Sequence, residues 1–276
     1  MGFFIFTLSF KTKNMNRNTL SGIFFLCLIT LFQLTGTAKG SIGKKLDLDI
    51  VFIGNSITYG ANLENPKQDA PPVVASEILR KKDGINSVQF SNQGRSGFTT
   101  LNYLPDSPTF AEVIQAAKLL HTNPEHTLIF SIKLGTNDSA ISGPKGAPVS
   151  KEDYRKNMKA IVDELLRQFP ESKIVFQKPI WYSTNTYNRS KYLAEGLARL
   201  QSYFPELKSL VKSYSATNKN QVFMGDEKGF NYFRKNYLTD LVPEKGQQGT
   251  FYLHPNPKGA AQLGSFWAEA IYTILE

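Results

Sequence analysis

A serine, a glycine, an asparagine and a histidine stand in four short segments of this sequence, each where a strand is expected to end or a helix to begin. Ser56 lies in Gly54-Asn55-Ser56-Ile57-Thr58. A serine hydroxyl at a strand-to-helix turn can face a reactant, and the neighbouring helix N-terminus favours developing negative charge. The same position also suits a plain helix cap. Gly97 closes Asn92-Gln93-Gly94-Arg95-Ser96-Gly97, where glycine lets backbone approach a ligand or simply turn. Asn137, in Gly135-Thr136-Asn137-Asp138, carries an amide able to donate to an oxyanion or to close an Asx turn. His254, in His254-Pro255-Asn256-Pro257, sits where a loop enters the last helix. The other histidines, His121 and His126, flank a loop at Asn123-Pro124. Hydroxyl, imidazole and amide together are the groups that acyl transfer uses.

The elements that must position them alternate in type. Leu46 to Ile53 becomes a continuous apolar run, as a buried parallel strand requires. Pro71 to Lys82 reads as a helix with proline at its start, and Val88 to Ser91 as a second strand. Phe110 to Leu120 is helical, and Thr127 to Leu134 is a third strand. Ser150 to Phe169 is a helix capped by Ser150 and stopped by Pro170, with Met158, Ile161, Val162, Leu165 and Leu166 on one face. Lys173 to Lys178 is a fourth strand, Ser190 to Tyr203 a helix and Gln221 to Met224 a fifth strand. Asp226 to Gln248 reads as a short helix and a loop, and Lys258 to Leu275 as the final amphipathic helix. Such a series predicts an α/β fold with helices on both faces of a parallel sheet. Ligands bind such sheets at the carboxyl ends of the strands, where the four segments fall.

All four segments, in this order, make the sequence similar to the SGNH/GDSL hydrolase family, named for its serine, glycine, asparagine and histidine. The matching positions are Ser56 in GNSIT, Gly97 in NQGRSG, Asn137 in LGTND and His254 in HPNPKG, and the resemblance runs from about Ile50 to Gly264. It implies a three-layer α/β/α, flavodoxin-like fold around a parallel five-stranded sheet. It also implies a serine esterase in which His254 takes the proton of Ser56 and Ser56 attacks the ester carbonyl. The backbone N–H groups of Ser56 and Gly97, with the Asn137 side chain, would hold the oxyanion. Two positions depart from the family pattern. Asn55 stands where the family has aspartate, and Phe251 stands where it has aspartate three residues before the histidine. The group that orients His254 is therefore a backbone carbonyl or a carboxylate from elsewhere, such as Asp226 or Glu244.

Composition bounds the rest. Hydrophobic residues make up 41% and charged residues 20% of the chain, the balance of a packed domain and not of a disordered one. Three of the nine net positive charges, on Lys11, Lys13 and Arg17, lie in the first 38 residues, leaving +6 scattered among acids. No basic stripe suits a nucleic-acid backbone. The apolar run Gly22–Leu34 follows those basic residues and ends in Thr35-Gly36-Thr37-Ala38. It is shorter than the about 20 residues of a membrane span and has the layout of a signal peptide. The expectation is a signal peptide over residues 1–38 and one hydrolase domain over residues 39–276, secreted or periplasmic and without stable membrane association. The only cysteine, Cys27, falls inside the leader, so no disulfide is available to the rest. Three dispersed histidines suggest no metal site, and no cofactor is expected. There is no G-x-S-x-G elbow and no P-loop.

The substrate expected is a glycan or other small ester. Trp181 and Tyr182, just after the fourth strand, are candidates to contact it, since aromatic rings stack on sugars. Exported esterases with this kind of nucleophile block resemble the carbohydrate-ester deacetylases, such as those acting on sialic acid or plant polysaccharide, which points to O-acetyl groups on sugars. The alternatives are a lysophospholipase or thioesterase of the same fold, and a glycan-binding domain that does not cleave.

Overall fold

Alternation of apolar strands with amphipathic helices produces one parallel sheet sandwiched between two helical layers, in a computed structural model that describes residues 45–276. The elements run β1 (Leu46–Gly54), α1 (Ser56–Tyr59), α2 (Pro66–Asp69), α3 (Pro71–Leu79), β2 (Ile85–Gly94), α4 (Pro108–Leu120), β3 (Thr127–Lys133), α5 (Lys151–Gln168), β4 (Lys173–Phe176), α6 (Leu193–Tyr214), β5 (Val222–Met224), α7 (Gly229–Asp240), β6 (Leu241–Gly246), β7 (Gly249–Pro255) and α8 (Pro257–Thr273). A 3-10 turn, Thr100–Tyr103, lies between β2 and α4. The proposed leader and Cys27 lie outside the described residues.

The sheet order is β2-β1-β3-β4-β5, all parallel, with β1 between β2 and β3. Alternate residues serve the two layers, as the two-residue repeat of a strand demands. Val51, Ile53, Phe130, Ile132, Ile174 and Phe176 pack with α4, α5 and α6. Leu48, Ile50, Phe52, Ile129 and Val175 pack with α3, α7 and α8, where Trp267 stacks on Phe52 at 6.0 Å between ring centroids. With both faces covered, the central strands are apolar throughout, which is why they read as runs and not as alternations.

Two elements differ from the sequence expectation. The helix expected to end at Tyr203 continues to Tyr214 through Pro205. Pro205 removes one backbone donor, but Leu207, Leu210 and Tyr214 stay buried on the same face, and packing carries the helix across it. The stretch expected as a loop before the histidine is a β-hairpin, β6 antiparallel to β7, turning at Gln247–Gln248. Its strands contain Pro243 and exposed polar residues, and Gly-Gln-Gln-Gly is not among the usual two-residue hairpin signals.

Candidate active site

Ser56 is the first residue of α1, immediately beyond the carboxyl end of the central strand β1. Asn55 caps this single turn. Its side-chain oxygen accepts the Ile57 N–H at 3.2 Å, so the amide here does what a carboxylate oxygen would do at the same position. The turn sits tight against β2. A Cβ at Gly94 would come within 2.4 Å of the Tyr59 nitrogen, so only glycine lets β2 pass so close to the nucleophile turn.

His254 meets Ser56 from β7. The Ser56 Oγ and His254 Nε2 are 2.9 Å apart, although the two residues are 198 positions apart in sequence. On the other side of the ring, Nδ1 lies 2.8 Å from Oε1 of Glu244 in β6. A carboxylate accepts only, so it selects the tautomer with the proton on Nδ1. That leaves the Nε2 lone pair to receive the Ser56 proton. Glu244 is in turn held by Asn62, whose Nδ2 donates to Oε2 at 3.0 Å. The open question of the orienting group thus resolves to Glu244. Asp226 is engaged elsewhere, accepting the N–H groups of Lys228 and Gly229 at the start of α7. Phe251, where an aspartate was absent, is buried in the core beneath the hairpin.

The expected oxyanion groups lie on neighbouring loops: Asn137 bonds Phe98, the residue after Gly97, and the Arg95 N–H bonds the carbonyl of Gly54 at the end of β1. Gly97 is exposed with φ +79°, and its N–H has no acceptor among the described residues. Asn137 is buried, and its Nδ2 donates to the Phe98 carbonyl at 2.8 Å, which leaves the second amide hydrogen free to serve a ligand. The neighbouring Asp138 accepts from both the N–H and the Oγ of Thr100, at 2.8 and 2.5 Å. The loop after β3 therefore clamps the loop after β2 at two successive residues. Burial raises the Asp138 carboxyl to about 6, against the opposing pull of the Thr100 bonds.

A buried cation lies at the end of β3. Lys133 is 1% exposed, pairs in register with Gly54, and its Nζ has no hydrogen-bond partner among the described residues. Burial lowers its ammonium to about 7, partly offset by the charge of Asp226. Nothing in the four motifs signals this group; only the lone Lys at the end of an apolar strand could have drawn attention to it.

The aromatic pair expected at the substrate divides. Trp181 is half-buried against Tyr237, with ring centroids 5.2 Å apart, and Tyr237 in turn meets Tyr252 at 4.9 Å. Tyr182 is wholly buried, with its hydroxyl 2.9 Å from Ser139 Oγ, and offers no surface to a substrate. The reason is the two-residue repeat: residues adjacent in an extended segment face opposite ways, and Tyr182 faces the core. His121 and His126 are far from this chemistry. Both rings bond through Nδ1 to the buried Asp49 near the start of β1, at 2.9 and 3.2 Å. Among the described residues, no three histidine, cysteine, aspartate or glutamate side chains group as a metal site, and no helix is long and apolar enough to cross a membrane.

A comparison with protein families matches residues 52–262 to the GDSL-like Lipase/Acylhydrolase family. No curated protein sequence matches the chain. Solved structures share the fold at low identity. The native aryl esterase of M. smegmatis is 16% identical, with 82% of this chain and 99% of that one covered and a TM-score of 0.54. Est24, a carbohydrate acetylesterase from Sinorhizobium meliloti, is also 16% identical, with 82% and 99% covered and a TM-score of 0.52. A carbohydrate esterase family 2 enzyme with a carbohydrate binding domain, from Corynascus thermopiles, is 18% identical, with 84% and 67% covered and a TM-score of 0.53.

Proposed function

The chain belongs to the GDSL-like lipase/acylhydrolase family and is a serine ester hydrolase, and from that premise we propose that it removes small acyl groups, acetyl above all, from carbohydrates outside the cytoplasm. The observation that carries the catalytic part is the continuous line Ser56 Oγ, His254 Nε2, His254 Nδ1 and Glu244 Oε1, with links of 2.9 and 2.8 Å. In this reading His254 accepts the proton of Ser56 as its oxygen bonds to the ester carbonyl carbon. The charge that forms on the carbonyl oxygen is met by the N–H groups of Ser56 and Gly97 and by Nδ2 of Asn137. The imidazolium then protonates the departing alcohol. Water, deprotonated by His254, releases the acid and restores Ser56. Glu244 keeps the ring in its working tautomer and stabilises the imidazolium. An intact nucleophile, base and acid favours catalysis over mere glycan binding.

Two features support a sugar ester. Fold neighbours include a protein named as a carbohydrate acetylesterase and a two-domain esterase active on acetylated mannans. Beside α1 lies a cavity of about 550 Å³ walled by Tyr59, Phe90, Asn65, Asn92, Lys67 and Arg95. Ser56 and His254 are not in its walls; in this reading it takes a part of the substrate remote from the ester bond, with aromatic faces and amides for a sugar ring. Export rests on the basic and apolar leader of residues 1–38.

Hydrolysis of p-nitrophenyl acetate by the purified protein, beside Ser56→Ala and His254→Ala, tests the mechanism. Both variants are expected near background, and a variant as active as wild type defeats it. Acetate release from acetylated oligosaccharides, compared with p-nitrophenyl esters of increasing chain length, tests the substrate. Preference for long acyl chains would overturn the carbohydrate assignment and favour a lysophospholipase or thioesterase.

A further inference from the structure

The start of α6 reaches the loop that carries Asn137 at three points. The Tyr192 hydroxyl donates to Oδ1 of Asn137 at 2.8 Å. Arg199 donates through one guanidinium nitrogen to the Ser139 carbonyl at 2.8 Å. Between them, Gly196 lies so close that a Cβ there would come within 2.9 Å of both the Ser139 carbonyl oxygen and the Tyr182 hydroxyl. These residues lie outside all four motif segments, and their role in the fold does not require a hydroxyl on Tyr192.

The Tyr192 ring is held firmly. It is 3% exposed, and its edge meets Tyr182 with centroids 5.4 Å apart. Its N–H bonds the Thr186 carbonyl at 3.1 Å, and its own carbonyl accepts the Gly196 N–H at 2.8 Å. The next residue, Leu193, has φ +54°, a left-handed conformation unusual for a branched side chain. Strain of this kind persists only where surrounding contacts over-determine it, and it gathers at functional sites. Burial keeps the phenol well above its ordinary range, so it stays protonated and can only be the donor toward the amide oxygen.

We propose that Tyr192 is a positioning residue for the oxyanion donor Asn137, and that the N-terminal end of α6 serves as its mount. A donor on Oδ1 does two things to the amide. It fixes which end is nitrogen, since an inverted amide would set N–H against O–H and a lone pair against the Phe98 carbonyl. It also polarises the amide, drawing charge toward oxygen and making the free N–H a stronger donor to the charge that forms on the substrate. The benefit is felt where that charge exists, in the transition state, and hardly in the ground state.

This inference rests on Asn137 serving the oxyanion, and the test separates the two. Tyr192→Phe, Asn137→Ala and the double variant are assayed with p-nitrophenyl acetate, and the affinity of each for a boronic acid, which forms a tetrahedral adduct on serine, is measured. For Tyr192→Phe, kcat is expected to fall about tenfold with KM within about twofold, boronate affinity to fall by a similar factor, and the pH profile set by His254 to stay in place. The double variant should be no slower than Asn137→Ala alone. Gly196→Ala, which pushes α6 off the loop, should reproduce the kcat loss. Wild-type turnover in Asn137→Ala defeats the oxyanion reading itself. An impaired Asn137→Ala beside a fully active Tyr192→Phe, or a Tyr192→Phe loss that adds in full to that of Asn137→Ala, overturns the role of Tyr192 alone.

Discussion

Oε1 of Glu244 lies 2.8 Å from Nδ1 of His254, and the two side chains come from paired strands of one β-hairpin. Acid and base are thus mounted on a single element that folds back on itself and delivers both to the serine at the end of β1. The carboxylate is reached across the hairpin and not along the strand from three residues upstream. Glu244→Gln keeps the shape but replaces an acceptor by a group that can donate to Nδ1 and so favour the wrong tautomer. Turnover is expected to fall about 10²–10⁴-fold with KM little changed. Phe251→Asp should not restore it, because position 251 faces the core. Steady-state kinetics of the two single variants and the double variant decide this, and a fully active Glu244→Gln would remove the carboxylate from the mechanism.

Asn62 holds the outer oxygen of Glu244 and stands 3.3 Å from Nδ1 of His254, with φ +68°. Removing it with Asn62→Ala leaves the carboxylate free to turn away from the ring. A loss of about threefold to tenfold in kcat is expected, in keeping with one exposed charge-assisted hydrogen bond. Equal kcat for Asn62→Ala and wild type across the pH range would show that Glu244 needs no support.

Asn137→Ala removes the proposed oxyanion donor and also the bond to the Phe98 carbonyl. Turnover is expected to drop on the order of 10²–10³-fold while the serine still reacts with a fluorophosphonate probe. Loss of labelling together with turnover would mean that Asn137 holds the site together and does not serve the oxyanion in particular.

Lys133 should tie stability to pH. Burial holds its folded-state value at about 7, below the ordinary 10.5. Between those values the unfolded chain carries a proton that the folded protein lacks, so stability falls as pH is lowered from about 10 to 7 and is level below that. The full effect is roughly 5 kcal/mol by proton linkage. Lys133→Met is expected to be more stable than wild type at pH 6.5, with the advantage shrinking toward pH 10. Urea denaturation at the two pH values checks it, and an unchanged pH slope in the variant would refute the assignment.

Asp138 should act at the other end of the scale. Its carboxyl is raised from the ordinary 3.8 to about 6 by burial. The folded protein then holds a proton that the unfolded chain has released, and stability declines as pH rises from about 4 to 6. Asp138→Asn retains an oxygen to accept from Thr100 and should flatten that part of the curve. A curve parallel to wild type in thermal unfolding from pH 4 to 6.5 would count against it.

The sequence alone determined the layered α/β fold and placed the four motif segments at the carboxyl ends of its strands and before its last helix. Apolar runs such as those of β1 and β3 can be satisfied only by burial on both faces, and residues just past such strands gather at one edge of the sheet. Ser56, Gly97, Asn137 and His254 were legible because each sits in a short local pattern. What only the tertiary structure decided is whatever depends on contact between distant segments. Glu244 was one of several carboxylates until the hairpin formed, and the hairpin itself was hidden by Pro243 and an unusual turn. Tyr182 and Trp181 are neighbours of similar chemistry, and only packing sent the first into the core. Tyr192, 55 residues from Asn137, became its partner because α6 settles on the loop where glycine allows it. Local pattern records what a backbone segment can become, whereas the pairing of side chains is set by how the layers close, and that information is spread over the whole chain.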